Sequence, residues 1–261
     1  MLDARAALRL IRFDASAVIF LSIFVPVFAR TRDLGGSLLK AAPMFLIGAC
    51  TWIANDLNDM ERDRINHSGR PLPAGRVSPE AAAILYFVLL LAALLITHNY
   101  VPATVALWYY LVLTLSLSYG YVVDLFPSFK ALYVGAAMSV PVTIVERYNP
   151  TGPELCLVAV ATFCFASGKE LCMDILDRRG DTPSLLHRVS IQRVAVAAFG
   201  LQFIGLAMLL MKLVSLSDIA YWATMAIAIT VAAIAWFAWR RFKLAVAIVR
   251  IQLLLGLYFL V

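Results

Sequence analysis

Two short acidic stretches carry the residues best suited to chemistry. The first reads Asn55-Asp56-Leu57-Asn58-Asp59-Met60-Glu61-Arg62-Asp63, and the second runs from Lys169-Glu170 through Asp174 and Asp177 to Asp181. Asp56, Asp59 and Asp63 are spaced i, i+3, i+7, which on a helix sets them along one face. Asp174, Asp177 and Asp181 repeat that spacing, and Glu170 extends the second stripe by a turn. Seven of the chain's 16 acids therefore fall on two helix faces. Like charges at these offsets destabilise a helix by about 0.2–0.5 kcal/mol per pair, so a positive partner is expected. A divalent cation with oxygen ligands meets that need, because Mg2+ takes one or two carboxylates with phosphate oxygens and keeps some waters. No cluster of His or Cys competes for a softer metal. A solvated helix end, salt-bridged to Arg62, Arg64, Arg178 and Arg179, explains one stripe well but two of identical spacing poorly.

The elements that position these stripes follow from composition. Of 261 residues, 62% are hydrophobic and only 15% charged, against roughly 25% charged in a soluble domain. The apolar residues form long blocks, which predicts transmembrane helices of about 20 residues. Nine spans are expected, at roughly 13–29, 38–55, 80–97, 101–118, 131–147, 154–172, 194–214, 218–239 and 244–261. The fold class is thus an all-α polytopic membrane bundle, forming a single domain over residues 1–261. Ser78-Pro79-Glu80 reads as a helix start: a capping oxygen, a proline in the first turn and an acid at the positive end. Trp108, Tyr109, Tyr110, Tyr119, Tyr121, Trp236 and Trp239 include candidates for the interfacial aromatic belt.

Orientation follows from the basic residues. With the N-terminus inside, all but Arg30, Arg32, Lys40, Arg147 and Lys212 of the 22 Lys and Arg fall on the inner side. Both acid stripes then lie on the inner, cytoplasmic side, and the C-terminus lies outside. This bias accounts for the net charge of +6, so no nucleic-acid partner is inferred. The first apolar run, ending near Val27-Phe28-Ala29, is long for a signal peptide and eight more spans follow it, so retention is expected. Cys50, Cys156, Cys164 and Cys172 lie within spans and read as small, buried, unpaired membrane residues.

Two polar stretches, about 56–79 and 173–193, follow the second and sixth spans. Each reads as helix, acidic helix end, then basic loop, which has the look of a weak internal repeat. The first continues as His67-Ser68-Gly69-Arg70-Pro71-Leu72-Pro73-Ala74-Gly75-Arg76, a proline-punctuated segment carrying two arginines. Arg70, Arg76 and, one turn before the second stripe, Lys169 suit phosphate oxygens, although each also serves as a topology marker. Mg2+ held by two aspartate sets can grip a diphosphate, neutralise it and make it a leaving group. A membrane interior suits a prenyl diphosphate, whose long tail is apolar.

These residues also meet a known pattern. Asn55-Asp56-x-x-Asp59-x-x-x-Asp63, then Arg64-Ile65-Asn66 and Arg70-Pro71-Leu72-Pro73-Ala74-Gly75-Arg76, closely resembles the first signature of the UbiA superfamily of intramembrane prenyltransferases. Asp177-x-x-x-Asp181, with Asp174 before it and Gly180 just ahead, resembles the second. The resemblance implies a helical bundle around a central cavity, with two Mg2+ and the diphosphate between the signatures. It gives Asn55, Asp56, Asp59, Asp63, Asp177 and Asp181 metal and diphosphate roles, with Asp174 as a helper. The partners it implies are the lipid bilayer, a prenyl diphosphate and an unidentified acceptor. Two departures stand out. The family carries a tyrosine and then a base after the fourth span, whereas Tyr119-Gly120-Tyr121-Val122-Val123-Asp124 has an acid there, leaving Lys130 as the substitute. Thr182-Pro183-Ser184-Leu185-Leu186-His187-Arg188 also replaces the family's Thr-Leu-Pro segment, which bears on the acceptor more than on diphosphate departure.

The expected activity is transfer of a prenyl group to an acceptor with release of pyrophosphate. A terpene cyclase, in which the same cation closes on itself, is the alternative. A lipid-phosphate phosphoribosyltransferase would also use Mg2+ and pyrophosphate departure. A cation carrier fits less well, because the acids cluster at inner helix ends with no matching set outside.

Overall fold

The computed structural model describes residues 4–148, 155–176 and 188–213, and every regular element among them is helical. The order is α1 (Ala4–Leu10), α2 (Phe13–Thr31), α3 (Leu34–Asn58), α4 (Met60–Asn66), α5 (Pro79–Tyr100), α6 (Ala103–Leu125), a 3-10 turn at Pro127–Phe129, α7 (Lys130–Tyr148), α8 (Leu155–Leu176) and α9 (Ile191–Leu213). Seven are long and apolar enough to cross a membrane: α2, α3, α5, α6, α7 with its preceding turn, α8 and α9. The shortest such stretches, of 19 residues, extend about 28 Å at 1.5 Å per residue, close to the hydrocarbon thickness of a bilayer. They match the first seven expected spans. The last two, 218–239 and 244–261, lie outside the described residues.

Local chemistry sets the helix ends. Ser78 caps α5 as expected, its Oγ accepting from the Ala81 N–H at 3.2 Å. Asp33 caps α3 by accepting from the Gly36 N–H at 3.0 Å. Pro26, Pro43 and Pro141 sit inside α2, α3 and α7, as a membrane helix tolerates when neighbouring groups satisfy the freed backbone.

The chain forms two compact units. The first holds residues 4–122 and 144–148 of the described chain, and in it α3 packs against both α2 and α5. At the C-terminal end of α3, Ile53 joins Ala6 and Leu10 of α1, Leu72 and Val77 of the following loop, and Ala82 of α5 in one buried cluster. Near the opposite end of α3 the Tyr109 hydroxyl donates to the Lys40 carbonyl at 2.6 Å. Tyr109 is fully buried, so it ties helices together and does not face lipid as part of an aromatic belt. Trp108 instead stacks under Arg147, at 5.5 Å.

The second unit holds residues 123–143, 155–176 and 188–213. Here α8 packs on α9 through glycine. A Cβ added at Gly168 would come within 2.6 Å of Gln202 Nε2 and 2.8 Å of the Ala198 carbonyl oxygen. Small residues at such crossings let membrane helices approach closely, where packing and not hydrophobicity holds them. Ala131, Leu171, Cys172, Val194 and Ala198 form a buried cluster in this unit. Cys156, in contrast to the other three cysteines, is exposed.

Candidate functional site

The first acid set sits where α3 gives way to α4. The stripe expected on one continuous helix falls on two, because the helix opens at Asp59 (φ −95°, ψ 10°). Asn and Asp side chains compete with the helical backbone, which makes Asn58-Asp59 a natural break. The Asp59 N–H still donates to the Asn55 carbonyl and the Asp63 N–H to the Asp59 carbonyl, each at 2.8 Å. This continuity keeps Asp56 and Asp63 on one side. Both are nearly sealed from solvent, at 1% and 3% exposure. Arg70 holds the two together: its Nη1 lies 3.4 Å from Asp56 Oδ1 and 2.5 Å from Asp63 Oδ2. Asp59 is more exposed and pairs with Arg62 at 3.0 Å.

Arg70 reaches inward because its loop is folded. The Arg70 carbonyl accepts from the Ala74 N–H at 3.0 Å and the Pro71 carbonyl from the Arg76 N–H at 2.9 Å. Gly75 turns the chain with φ 67°, a conformation that glycine adopts without strain. Leu72 and Val77 then anchor the loop in the buried cluster beside α1. Arg76, on the same loop, is exposed and makes no ion pair among the described residues. The loop therefore commits one of its two arginines to the carboxylates.

A further arginine reaches Asp56 that the sequence spacing did not single out. Arg12 Nη2 donates to Asp56 Oδ1 at 2.7 Å, from 44 positions away in the chain. Its guanidinium also lies 4.5 Å from the centroid of the Trp52 ring. Trp52 and Asp56 are four residues apart on α3, so they share a face and Arg12 spans both. Arg12 stands in the elbow between α1 and α2 with φ 43° and ψ 61°. That left-handed conformation costs a non-glycine residue about 1–2 kcal/mol. In sequence Arg12 reads only as an inner-side basic residue; nothing in its spacing links it to Asp56.

The second acid set is braced differently. Lys130, at the start of α7, places its Nζ 2.7 Å from Asp174 Oδ1. Lys169 pairs with its neighbour Glu170 at 3.0 Å. Lys130 thus stands among the residues expected to bind diphosphate, in direct contact with the acid stripe of its own unit. Asp177 and Asp181, with Arg178, Arg179 and His187, lie outside the described residues. In the first unit Asn55 is half-buried one residue before Asp56, and Tyr119 is half-buried on α6. Its neighbour Gly120 abuts Asn58, where an added Cβ would come within 2.5 Å of Nδ2.

Burial pushes the Asp63 carboxyl above its ordinary pKa; the charge and hydrogen bond of Arg70 oppose this, and nearby Asp56 adds to it. Two arginines against two buried carboxylates make a paired centre, and a buried charge loses several kcal/mol if its partner is removed. The arrangement also leaves donors over. Both guanidinium contacts to Asp56 fall on Oδ1, and the contact to Asp63 falls on Oδ2. Among the described residues, Asp56 Oδ2 and Asp63 Oδ1 therefore take no hydrogen bond. Oxygen donors oriented in this way fit a hard cation such as Mg2+. No group of three His, Cys, Asp or Glu converges among the described residues, so this pair by itself makes no complete ligand set there.

Fold and site together define a multi-pass α-helical protein with an arginine-held carboxylate centre at the end of its second long helix. The model of the UbiA prenyltransferase family matches residues 17–251. The chain belongs to that family and is a multi-pass membrane protein. A UbiA homolog from Aeropyrum pernix shares the fold with a TM-score of 0.73 at 20% identity, over 94% of this chain and 97% of that one. A UbiA homolog from Archaeoglobus fulgidus, bound to GPP and Mg2+, gives 0.65 at 17% identity, over 98% and 99%. The digeranylgeranylglyceryl phosphate synthase of Saccharolobus solfataricus is 35% identical over 71 residues, 26% of this chain and 25% of that protein. Its counterpart in Methanococcus aeolicus is 33% identical over 64 residues, 24% and 23% of the two chains. The match thus spans about a quarter of the length of these curated relatives.

Proposed function

We propose that this protein uses Mg2+ to ionise a prenyl diphosphate and transfers the prenyl group to the hydroxyl of a glyceryl phosphate lipid, releasing pyrophosphate. The observation that carries the donor half is the Asp56–Arg70–Asp63 centre, with one oxygen of each carboxylate held by arginine and the other taking no hydrogen bond among the described residues. Bound Mg2+ would neutralise the diphosphate. Asp56, Asp59 and Asp63 from the first set, with Asp174, Asp177 and Asp181 from the second, are the residues proposed to hold it. Asn55, Arg70, Arg76, Lys130, Lys169 and Tyr119 are proposed to bind diphosphate oxygens. That the whole of 1–261 acts as one catalytic domain, with two Mg2+, an inner N-terminus and the site on the cytoplasmic side, belongs to the same reading.

In the reaction the allylic C1–O bond breaks and its electron pair leaves with the diphosphate. The acceptor oxygen then captures the cation and gives up its proton. The acceptor class rests on the likeness to the two digeranylgeranylglyceryl phosphate synthases, and geranylgeranyl diphosphate is the donor to test first. In nanodiscs, pyrophosphate release from that donor should require Mg2+ and rise on adding a prenylated glyceryl phosphate. Equal release without any acceptor, with a cyclised hydrocarbon as product, would replace transferase by cyclase. Release that survives both Asp59→Ala and Asp177→Ala would overturn the metal assignment.

A further inference from the structure

We infer that Arg12 is a positioning residue of the donor site: stacked on Trp52, it fixes Asp56 through Oδ1 so that Oδ2 is presented to the metal. This rests on the proposed function and adds to it a residue outside both acidic signatures. Three independent observations converge on it. First, the elbow backbone at Arg12 lies in the left-handed region, where glycine is favoured, yet the residue is a long cation whose side chain turns to Asp56. Second, Trp52 has its Nε1 buried without a hydrogen-bond partner. An indole held there contributes its ring face, and Arg12 occupies that face at 4.5 Å. Third, the elbow is fixed from both sides. Leu10 is sealed in the cluster that also anchors the Arg70 loop, and Ser16 donates from Oγ to the Ile11 carbonyl at 2.8 Å.

The consequence is a division of labour on one carboxylate. Arg70 bridges Asp56 to Asp63, while Arg12 sets the plane of Asp56 from the opposite part of the chain. A planar guanidinium can stack on a ring and donate in its own plane at once; an ammonium has no such plane. Charge alone would therefore not replace Arg12.

The test is binding of Mn2+ together with inorganic pyrophosphate to the full-length protein in nanodiscs, read by titration calorimetry, with circular dichroism as the check on folding. Arg12→Gly suits the elbow backbone and removes the guanidinium. It should stay helical and bind Mn2+ at least tenfold more weakly, with partial recovery on adding methylguanidinium. Arg12→Lys should also remain folded and weakened, while Arg9→Gly should bind like the wild type. Binding by Arg12→Gly within twofold of wild type overturns the inference, as does full recovery by Arg12→Lys. Should Arg12→Gly fail to fold, Arg12→Lys decides alone by the same criterion. Failure of the wild type to bind Mn2+ and pyrophosphate would overturn the proposed function itself, and this inference with it.

Discussion

Around Asp56 and Asp63 the positive charge comes from guanidinium groups, whereas Asp174 and Glu170 are met by the ammonium groups of Lys130 and Lys169. The two acid sets share a spacing in sequence, but their counter-ions differ in kind and in origin. Arg12 and Arg70 arrive from an elbow and a folded loop, and both fix the direction in which a carboxylate points. Lys130 arrives from the start of another helix, and Lys169 is adjacent in the chain. An arginine fork imposes a plane on its partner, while a lysine acts as a compact, mobile point charge. Identical acid spacings can thus be met by guanidinium groups in one set and by ammonium groups in the other.

The largest test of this contrast is deletion of the acids themselves. Asp63→Ala and Asp177→Ala should each lower pyrophosphate release about 10^3-fold or more, roughly 4 kcal/mol in the barrier. Next come the counter-ions. Arg70→Leu leaves two buried carboxylates short of charge and should destabilise the metal-free protein by about 3–5 kcal/mol, seen as a fall in its thermal midpoint. Lys130→Met deprives Asp174, which is less deeply buried than Asp56 or Asp63, and should cost the fold about half as much or less. If Arg70→Lys and Lys130→Arg prove equally harmless to activity, the contrast between guanidinium and ammonium counter-ions has no functional weight.

A smaller effect concerns pH. The folded protein raises the pKa of Asp63 above the ordinary value of 3.8. Its contribution to stability is therefore complete below the unfolded pKa and is lost as pH rises through the folded one. Metal-free wild type should consequently gain thermal midpoint relative to Asp63→Asn as the pH is lowered toward about 5. A wild type that loses thermal midpoint relative to Asp63→Asn on acidification would mean that Arg70, not burial, governs this carboxylate. The smallest effect lies at the far end of α3. Tyr109→Phe removes the bond to the Lys40 carbonyl and should cost about 1 kcal/mol of stability with no change in kcat.

Much of this was legible in the sequence, and the limits have physical causes. The seven described spans follow from hydrophobic length, and the Ser78 cap from its local pattern, because both are set by residues close in the chain. The acids of the first set were legible by spacing. The break at Asp59 was not, since i, i+3, i+7 reads the same on one helix or on two in register. Arg70 and Arg76 look alike in sequence, and only the folded loop separates the buried one from the exposed one. Arg12 was invisible as a site residue because its link to Asp56 is a tertiary contact across 44 positions. Lys130 was reached only as a substitute for a missing base, and its contact with Asp174 again depends on tertiary packing.

The elbow at Arg12 also bears on how the chain is made. Synthesis runs from the N-terminus, so Arg12 emerges from the ribosome 44 residues ahead of Asp56, while Arg70 follows 14 residues behind it. An aspartate entering the edge of the bilayer thereby finds a counter-ion upstream of itself and need not wait for the loop that follows. Insertion of the second span and assembly of the donor site become successive uses of one arginine.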